Sequence, residues 1–549
     1  MLFVVAVVVP IVLAGHYGSL QAAGSDDWAY DLSTFHLANH GGFDLYHWGA
    51  NSLVGQFVLA APVVRLFGDS ITALNVFTCF IGLAGLLALV SLGRQLRLSR
   101  PAAVFTAAVI GLGPMWSGLS TTFMSDIPSM SFMSMSFAVA GSDRRTDRLL
   151  TSRSVCALLL GGVAFTMRYE AVVVVPVIAL CRLWRCGRPR IQSSLPWVGV
   201  VGLLAITLIG FYEWRQALPT GGTLYYGAAP LSEWWYSQWL FPLIGLMLAP
   251  VAVFVHPVAT VREALRTRRT WTLVGWAVMP LGPAIVGIGV TLEQLPAPRS
   301  VGTAINHLAP SFGNGYFNLT GPAGPIIPAW ALLLLGVVSI ASLTVIVASI
   351  VLGVHHWLAR ARPTAGPADQ AHYVAVMLTL VVAATAVVTA EGIRHQLLMW
   401  DRYIIAPVAY LALLVIYVAS RHRITSPQRR TQPKWPLACL AGLAAINVLA
   451  TIPGDALLGE EWNYSNHFAA GLPPSQRTLL FTEWTWSSMQ HQQFIWNPSY
   501  ARWPLCWIQV TNQPRQQGDV DYIKTGTWVQ HYTFAMTPGP GSGNQACKT

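Results

Sequence analysis

Charge is what this sequence has least of. Of its 549 residues only 10% are Asp, Glu, Lys or Arg and 54% are hydrophobic, whereas roughly a quarter of an ordinary soluble domain is charged. A fold with a water-facing shell all round is excluded. Ionisable residues are lacking above all from the interiors of the long apolar runs, which counts against a proton-coupled transporter. No persuasive internal repeat is present, such as transporters built from duplicated halves show. Cysteine is sparse: Cys79, Cys156 and Cys439 lie in apolar runs, Cys181 and Cys186 near the edge of one, and only Cys506 and Cys547 in the polar tail. A disulfide is chemically permitted for that last pair if the tail lies outside the cell. Sequence leaves their pairing open. No Cys or His spacing reads as a metal site.

What is there is a succession of apolar runs, each long enough to cross a bilayer at about 17 to 25 residues. About thirteen are readable, at approximately 2–15, 70–93, 102–121, 127–141, 154–167, 171–185, 195–212, 236–256, 271–291, 327–354, 371–390, 403–420 and 436–453. The expected fold class is an all-α polytopic membrane protein. The net charge of +11 is spread over alternate loops, in clusters such as Arg94, Arg97 and Arg100, then Arg144, Arg145, Arg148 and Arg153, then Arg182, Arg185, Arg188 and Arg190. Three more follow: Arg262 to Arg269, Arg360 with Arg362, and Arg421 to Lys434. With this count of spans every cluster falls on one side, the cytoplasm by the positive-inside rule. The amino terminus is then cytoplasmic and the carboxy-terminal part is outside, in a plasma (inner) membrane. Ala22-Ala23-Gly24 resembles a signal-peptide cleavage site, yet the basic n-region is missing, so the first run reads as a retained helix.

Two domains are expected: a transmembrane domain, 1–453, with an outside loop at 16–69, and an extracytoplasmic domain, 454–549. In the second, runs such as TLLFTEWTW, LCWIQV and DYIKTGTWV have the character of short strands, so a small α/β domain is predicted. Its tryptophans, Trp484, Trp486, Trp496, Trp503, Trp507 and Trp528 among them, suit core packing, interface anchoring or stacking on sugars.

The acidic residues gather in outside loops. Residues 25–51, SDDWAYDLSTFHLANHGGFDLYHWGAN, hold four aspartates and no Lys or Arg. Ser25 is a good N-cap, Asp26 and Asp27 complement a positive helix end, and Gly41-Gly42 supplies a stop. Asp27 and Asp31 are spaced i, i+4 on one face, where like charges repel. A nearby cation, sugar hydroxyl or acceptor proton would account for that, as would a solvated acidic face. Leu53 to Phe67, interrupted by Pro62 and Arg65, reads as an amphipathic helix lying along the membrane surface. Asp126 stands in a second outside turn, FMSDIP, with Pro128 where a helix start tolerates proline. Arginines meet the outer boundary in MRYEA, with Arg168, Tyr169 and Glu170, and in GIRHQLLMWDRY, with Arg402 and Tyr403. The planar guanidinium fork suits phosphate and carboxylate. Ordinary interface anchoring is the alternative reading of each.

SDDWAYDLSTFHLANHGGFDLYHW resembles the first outside loop of the GT-C membrane glycosyltransferases, in the branch of the protein O-mannosyltransferases and the lipid A aminoarabinose transferase. RLFGDSITALNVFTCFIGLAGLLALVSLGRQL, FMSDIPSMSF, RYEA and WDRYIIAPVAYLAL are similar to later segments of that family. The specific part of the resemblance covers residues 20–175. Two departures stand out: the common Glu is Asp27 here, and the pair that often precedes the surface helix is replaced by His47-Trp48-Gly49.

The resemblance implies a GT-C type fold and an inverting glycosyltransferase that moves a sugar from a polyprenyl-phosphate donor to a glycan, lipid or protein acceptor at the outer membrane face. It implies catalytic roles for Asp26, Asp27 and Asp126, with Asp26 the general base. Arg168, Tyr169, Arg402 and Tyr403 would bind the lipid phosphate, and Asp31, His47 and Glu170 the acceptor. No cofactor is demanded; Mg²⁺ or Mn²⁺ shared by Asp27 and Asp126 is compatible with the carboxylates. A lipid-linked-sugar flippase and a non-catalytic glycan-binding membrane protein are the rival readings.

Overall fold

The structure is a computed structural model that describes residues 2–23, 27–43, 52–145, 148–187, 191–217, 240–266, 320–321, 324–325, 329–360, 369–394, 404–421, 434–448 and 451–452, together with strand segments from 481 to 538. Helices dominate. After a π-helical turn at Val4–Val8 come α1 (Val9–Tyr17), α2 (Asp27–His40), α3 (Val54–Phe67), α4 (Ile71–Gln95), α5 (Arg100–Gly111), α6 (Pro114–Ser120), α7 (Asp126–Ser142), α8 (Ser152–Met167), α9 (Val174–Cys186) and α10 (Ile191–Ala217). The later helices are α11 (Leu240–Met247), α12 (Ala249–Phe254), α13 (Pro257–Arg266), α14 (Ala329–Arg360), α15 (Gln370–Arg394), α16 (Ile405–Arg421) and α17 (Lys434–Val448). By length and composition four of the described helices, around Ile71–Gln95, Ser194–Ala217, Gly336–Gly353 and Gln370–Val388, are long and apolar enough to cross a membrane, and shorter apolar helices accompany them.

The chain departs from its apolar runs where proline stands. The run 102–121 is two helices, because Pro114 cannot donate to the preceding turn, and α6 starts on it after Gly113. The run 236–256 breaks in the same way, α12 beginning with Pro250 in its first turn. The run 271–291 lies outside the described residues, as do Cys547 and most of 453–549. Within that tail Cys506–Thr511, Val520–Ile523 and His531–Pro538 form a three-stranded antiparallel sheet with His531–Pro538 in the middle, pairing Val510 and Val520 with Phe534.

The centre of the bundle is the packing of α7 against α4, which runs parallel to it, and against α8, which runs antiparallel to it. Gly82 and Gly85 line the face of α4 that meets α7. A Cβ on Gly82 would lie 2.8 Å from both Ile127 and Trp116, and one on Gly85 would lie 2.8 Å from the Cα of Ser131. Small residues let the backbones approach this closely. Buried hydroxyls tie α7 to two neighbours: Ser136 donates to the Ala157 carbonyl of α8 at 2.6 Å, and Ser134 shares a 3.2 Å hydrogen bond with the Tyr410 hydroxyl of α16. Trp116, fully buried, donates its indole N–H to the Ala6 carbonyl at 3.1 Å and so holds the amino-terminal helix to the bundle.

The helix α3 packs on α2, α4 and α8 through Val54, Gln56, Phe57, Ala60, Ala61 and Val64. Val58, Leu59, Leu66 and Phe67 on its other face are exposed. A helix apolar on both faces, one against protein and one outward, suits the lipid interface.

Replacing Gly85 with Val forces the α4–α7 contact apart, since the obstruction is backbone. The expected loss is about 1–3 kcal/mol, read as a lower unfolding midpoint in detergent. Gly199, with nothing within 4 Å of its Cβ position, tolerates Ala and serves as the control.

Candidate functional site

Helices α7 and α8 run antiparallel, so the start of one lies beside the end of the other. Asp126 is the first residue of α7, following Ser125, and Arg168 closes α8 in extended conformation. An anion at a helix N-terminus and a cation at a C-terminus are each favoured by the helix dipole. Here the two meet: Arg168 Nη1 lies 2.6 Å from Asp126 Oδ1, with the aspartate side chain fully buried and the arginine 6% exposed. The same guanidinium donates to the Glu170 carboxylate, from Nη2 at 2.9 Å and Nε at 3.3 Å. Nη1 also reaches the Ser125 hydroxyl at 3.4 Å. The fork is thus held between two carboxylates, one buried and one 36% exposed. The second oxygen of Asp126, Oδ2, is buried with no hydrogen-bond partner among the described residues.

Glu170 and Tyr169 occupy a 3-10 turn, Tyr169–Val173, between α8 and α9. The Tyr169 ring packs edge-on against Tyr212 at 5.4 Å. Directly beneath, the start of α3 is fastened to the end of α8. Ser52 donates its hydroxyl to the Phe165 carbonyl at 2.7 Å, and the Leu53 N–H bonds the Met167 carbonyl at 3.2 Å. Gln56 donates to the Phe123 carbonyl at 2.8 Å, three residues before Asp126. Leu53 adopts a positive φ of 57° to make this turn.

Asp27 opens α2 and Asp31 stands one turn on, and both are fully buried. Burial, and then the neighbouring Asp27, raise the pKa of Asp31 well above 3.8. Neither oxygen of Asp31 has a hydrogen-bond partner among the described residues. The i, i+4 spacing therefore produces a buried carboxyl pair rather than a solvated face. Tyr30, between them in sequence, packs its ring 6.2 Å from Phe57 of α3.

The structure brings Asp126, Arg168 and Glu170 into direct contact, with Tyr169 alongside. Asp27 and Asp31 share the buried side of α2. Asp26, His47, Arg402 and Tyr403 lie outside the described residues, as does the expected N-cap Ser25. Sequence reasoning passed over Ser52, Gln56 and Arg215. Arg215, near the end of α10, is 1% exposed and directs Nε at the Ser52 carbonyl at 3.4 Å. The available signals were a lone arginine closing a long apolar helix and a glutamine on the buried stripe of α3. Among the described residues no three potential ligands from His, Cys, Asp and Glu converge as a metal site. The chemistry on view is that of carboxylates that accept protons or hydroxyl donors, beside an arginine that can take an oxyanion.

Asp31 supplies a pH test. With its folded pKa raised, its unfolded form deprotonates first, so stability is full below pH 3.8 and declines as pH rises from there through the folded value. Asp31→Asn removes that decline. Its unfolding midpoint at pH 7 should exceed that of the wild type, and the gap should close towards pH 4. A constant gap across that range would place the proton elsewhere.

Residues 52–212 match the family model described as dolichyl-phosphate-mannose-protein mannosyltransferase. No curated protein matches the chain in sequence. Among solved structures, ArnT from Cupriavidus metallidurans bound to undecaprenyl phosphate is 11% identical with a TM-score of 0.39, the alignment covering 97% of each chain. The archaeal oligosaccharyltransferase AglB from Archaeoglobus fulgidus is 11% identical with a TM-score of 0.37, covering 86% of this chain and 58% of that one. The arabinofuranosyltransferase AftD from Mycobacteria is 14% identical with a TM-score of 0.32, covering 65% and 28%. At TM-scores this low the three likenesses carry no weight of their own. The family-matched stretch contains Asp126, Arg168 and Glu170.

Proposed function

We propose that the chain is an inverting glycosyltransferase that takes a sugar from a polyprenyl-phosphate carrier and passes it to a glycan, lipid or protein acceptor on the outer face of the plasma membrane. The observation that carries this reading is the buried Asp126–Arg168 pair, with the half-exposed Glu170 beside it, at one end of the helices and inside the family-matched stretch. The arginine clusters at the other helix ends support the orientation. Thirteen spans, a cytoplasmic amino terminus, the transmembrane domain 1–453 and an outer α/β domain at 454–549 complete it.

In the proposed step Asp26 takes the proton of the acceptor hydroxyl. The acceptor oxygen then bonds to the anomeric carbon from the side opposite the phosphate. The bond from that carbon to the phosphate oxygen breaks, and its electron pair leaves with the polyprenyl phosphate. One displacement inverts the anomeric centre. Asp27 and Asp126 orient the acceptor hydroxyl, and Asp31, His47 and Glu170 bind the rest of the acceptor. Arg168 and Tyr169, with Arg402 and Tyr403, hold the donor phosphate as negative charge develops on it.

The occupied fork of Arg168 sharpens this assignment. A phosphate oxygen reaches Arg168 most easily by replacing Glu170, the more exposed of its two carboxylates, while Asp126 keeps the guanidinium in place.

Purified protein assayed with polyprenyl-phosphoryl sugars tests the proposal. Asp26→Asn should lower kcat by about 10²- to 10⁴-fold, the usual contribution of a general base. Unchanged transfer in that variant would sink the assignment. Glu170→Gln should lower the KM for the donor several-fold, because the phosphate no longer competes with a carboxylate.

A further inference from the structure

The opposite end of α7 carries a second buried charge cluster, about 25 Å along the helix from Asp126 at 1.5 Å per residue. Asp143 follows the last turn of α7 and is 2% exposed. Arg182 Nη2 lies 3.0 Å from its Oδ2, and Arg182 also donates to the carbonyls of Leu149 at 3.1 Å and Arg148 at 2.5 Å. Arg185 donates Nη1 to the Asp143 carbonyl at 2.6 Å, and its guanidinium sits over the Tyr373 ring of α15, 4.4 Å from the centroid. The Asp143 carboxylate further accepts from the Thr151 hydroxyl and, at 3.1 Å, from the Arg145 N–H.

One carboxylate, already taking three donors, thus faces two buried guanidiniums. The cluster bears one net positive charge. It also keeps three donors in reserve: Arg182 Nη1, Arg185 Nε and Tyr373 Oη are buried with no hydrogen-bond partner among the described residues. Arg182, Arg185 and Tyr373 are 1%, 5% and 0% exposed. Buried charge without a counter-charge is costly, and so is each unmade hydrogen bond. An anion with several acceptor oxygens removes both costs at once. Arg144 and Arg148 in the loop above are exposed, and so are Leu180 and Trp184 on α9.

We propose that Arg182, Arg185 and Tyr373 form a binding site for a phosphate group, at the end of the bundle remote from the Asp126–Arg168 site. The group comes either from an anionic lipid headgroup or from free phosphate. Two arginines and a phenol from two helices match the several oxygens of a tetrahedral oxyanion.

The test uses the full-length protein and thermal unfolding. Inorganic phosphate is titrated in detergent against chloride at equal ionic strength, and nanodiscs of phosphatidylglycerol are compared with nanodiscs of phosphatidylcholine. A saturable rise in midpoint with phosphate or with phosphatidylglycerol is expected. A response to both identifies the phosphate group itself, a response to phosphatidylglycerol alone identifies the lipid, and a response to phosphate alone identifies the free ion. Tyr373→Phe, which removes only the hydroxyl, should weaken the apparent affinity about tenfold, and Arg185→Gln should do the same or more. Equal effects of chloride and phosphate with no preference between the lipids would overturn the proposal, as would a midpoint shift undiminished in Tyr373→Phe. Sugar transfer at saturating substrate is a separate readout, so failure here leaves the catalytic assignment standing.

Discussion

Both ends of α7 are closed by buried ion pairs, Asp126 with Arg168 and Asp143 with Arg182. In apolar surroundings a single charge of this kind is hard to sustain, and loss of one partner typically costs about 3–5 kcal/mol. Each pair therefore fixes where a helix begins or ends relative to its neighbours. The connection from α8 to α9 carries Arg168 at one extremity and returns Arg182 and Arg185 at the other. The same hairpin is thus fastened twice to α7. Everything proposed for the outer site inherits its geometry from that double attachment.

The dipoles act differently at the two ends. Asp126 and Arg168 each complement their own helix terminus. Asp143 lies at the carboxy end of α7, where an anion is unfavourable, yet it takes the Thr151 hydroxyl at the start of α8 and answers the arginines that close α9. The Asp126–Arg168 pair is locally self-consistent. The Asp143–Arg182 pair depends on contacts between elements, which is why it holds more positive charge than its carboxylate can neutralise.

Much of the outer site was legible in the sequence. Asp126 announced itself as a lone charge between two apolar runs, and Arg168 with Glu170 as charges in the next turn on the same side. The extent of α3 followed from the apolar residues around Pro62 and Arg65. The i, i+4 placing of Asp27 and Asp31 was readable too, but their burial was not, because it is decided by α3 packing over them. Arg182 and Arg185 read as loop cations when α9 in fact encloses them. No local pattern signals that, since their partners Asp143 and Tyr373 are far away in the chain. Gln56 and Arg215 escaped for the same reason, and the proline breaks at Pro114 and Pro250 were hidden inside otherwise continuous apolar runs.

The glycine-lined contact between α4 and α7 has a consequence for how the proposed lipid-linked donor would be admitted. Where a methyl group has no room, the two helices have no slack to slide or part. That pair serves as a fixed jaw, with Asp126 mounted on it. Under the proposed function, loading a donor and releasing the spent carrier would fall to elements outside this contact, such as α3 and the later helices, moving past a stationary carboxylate.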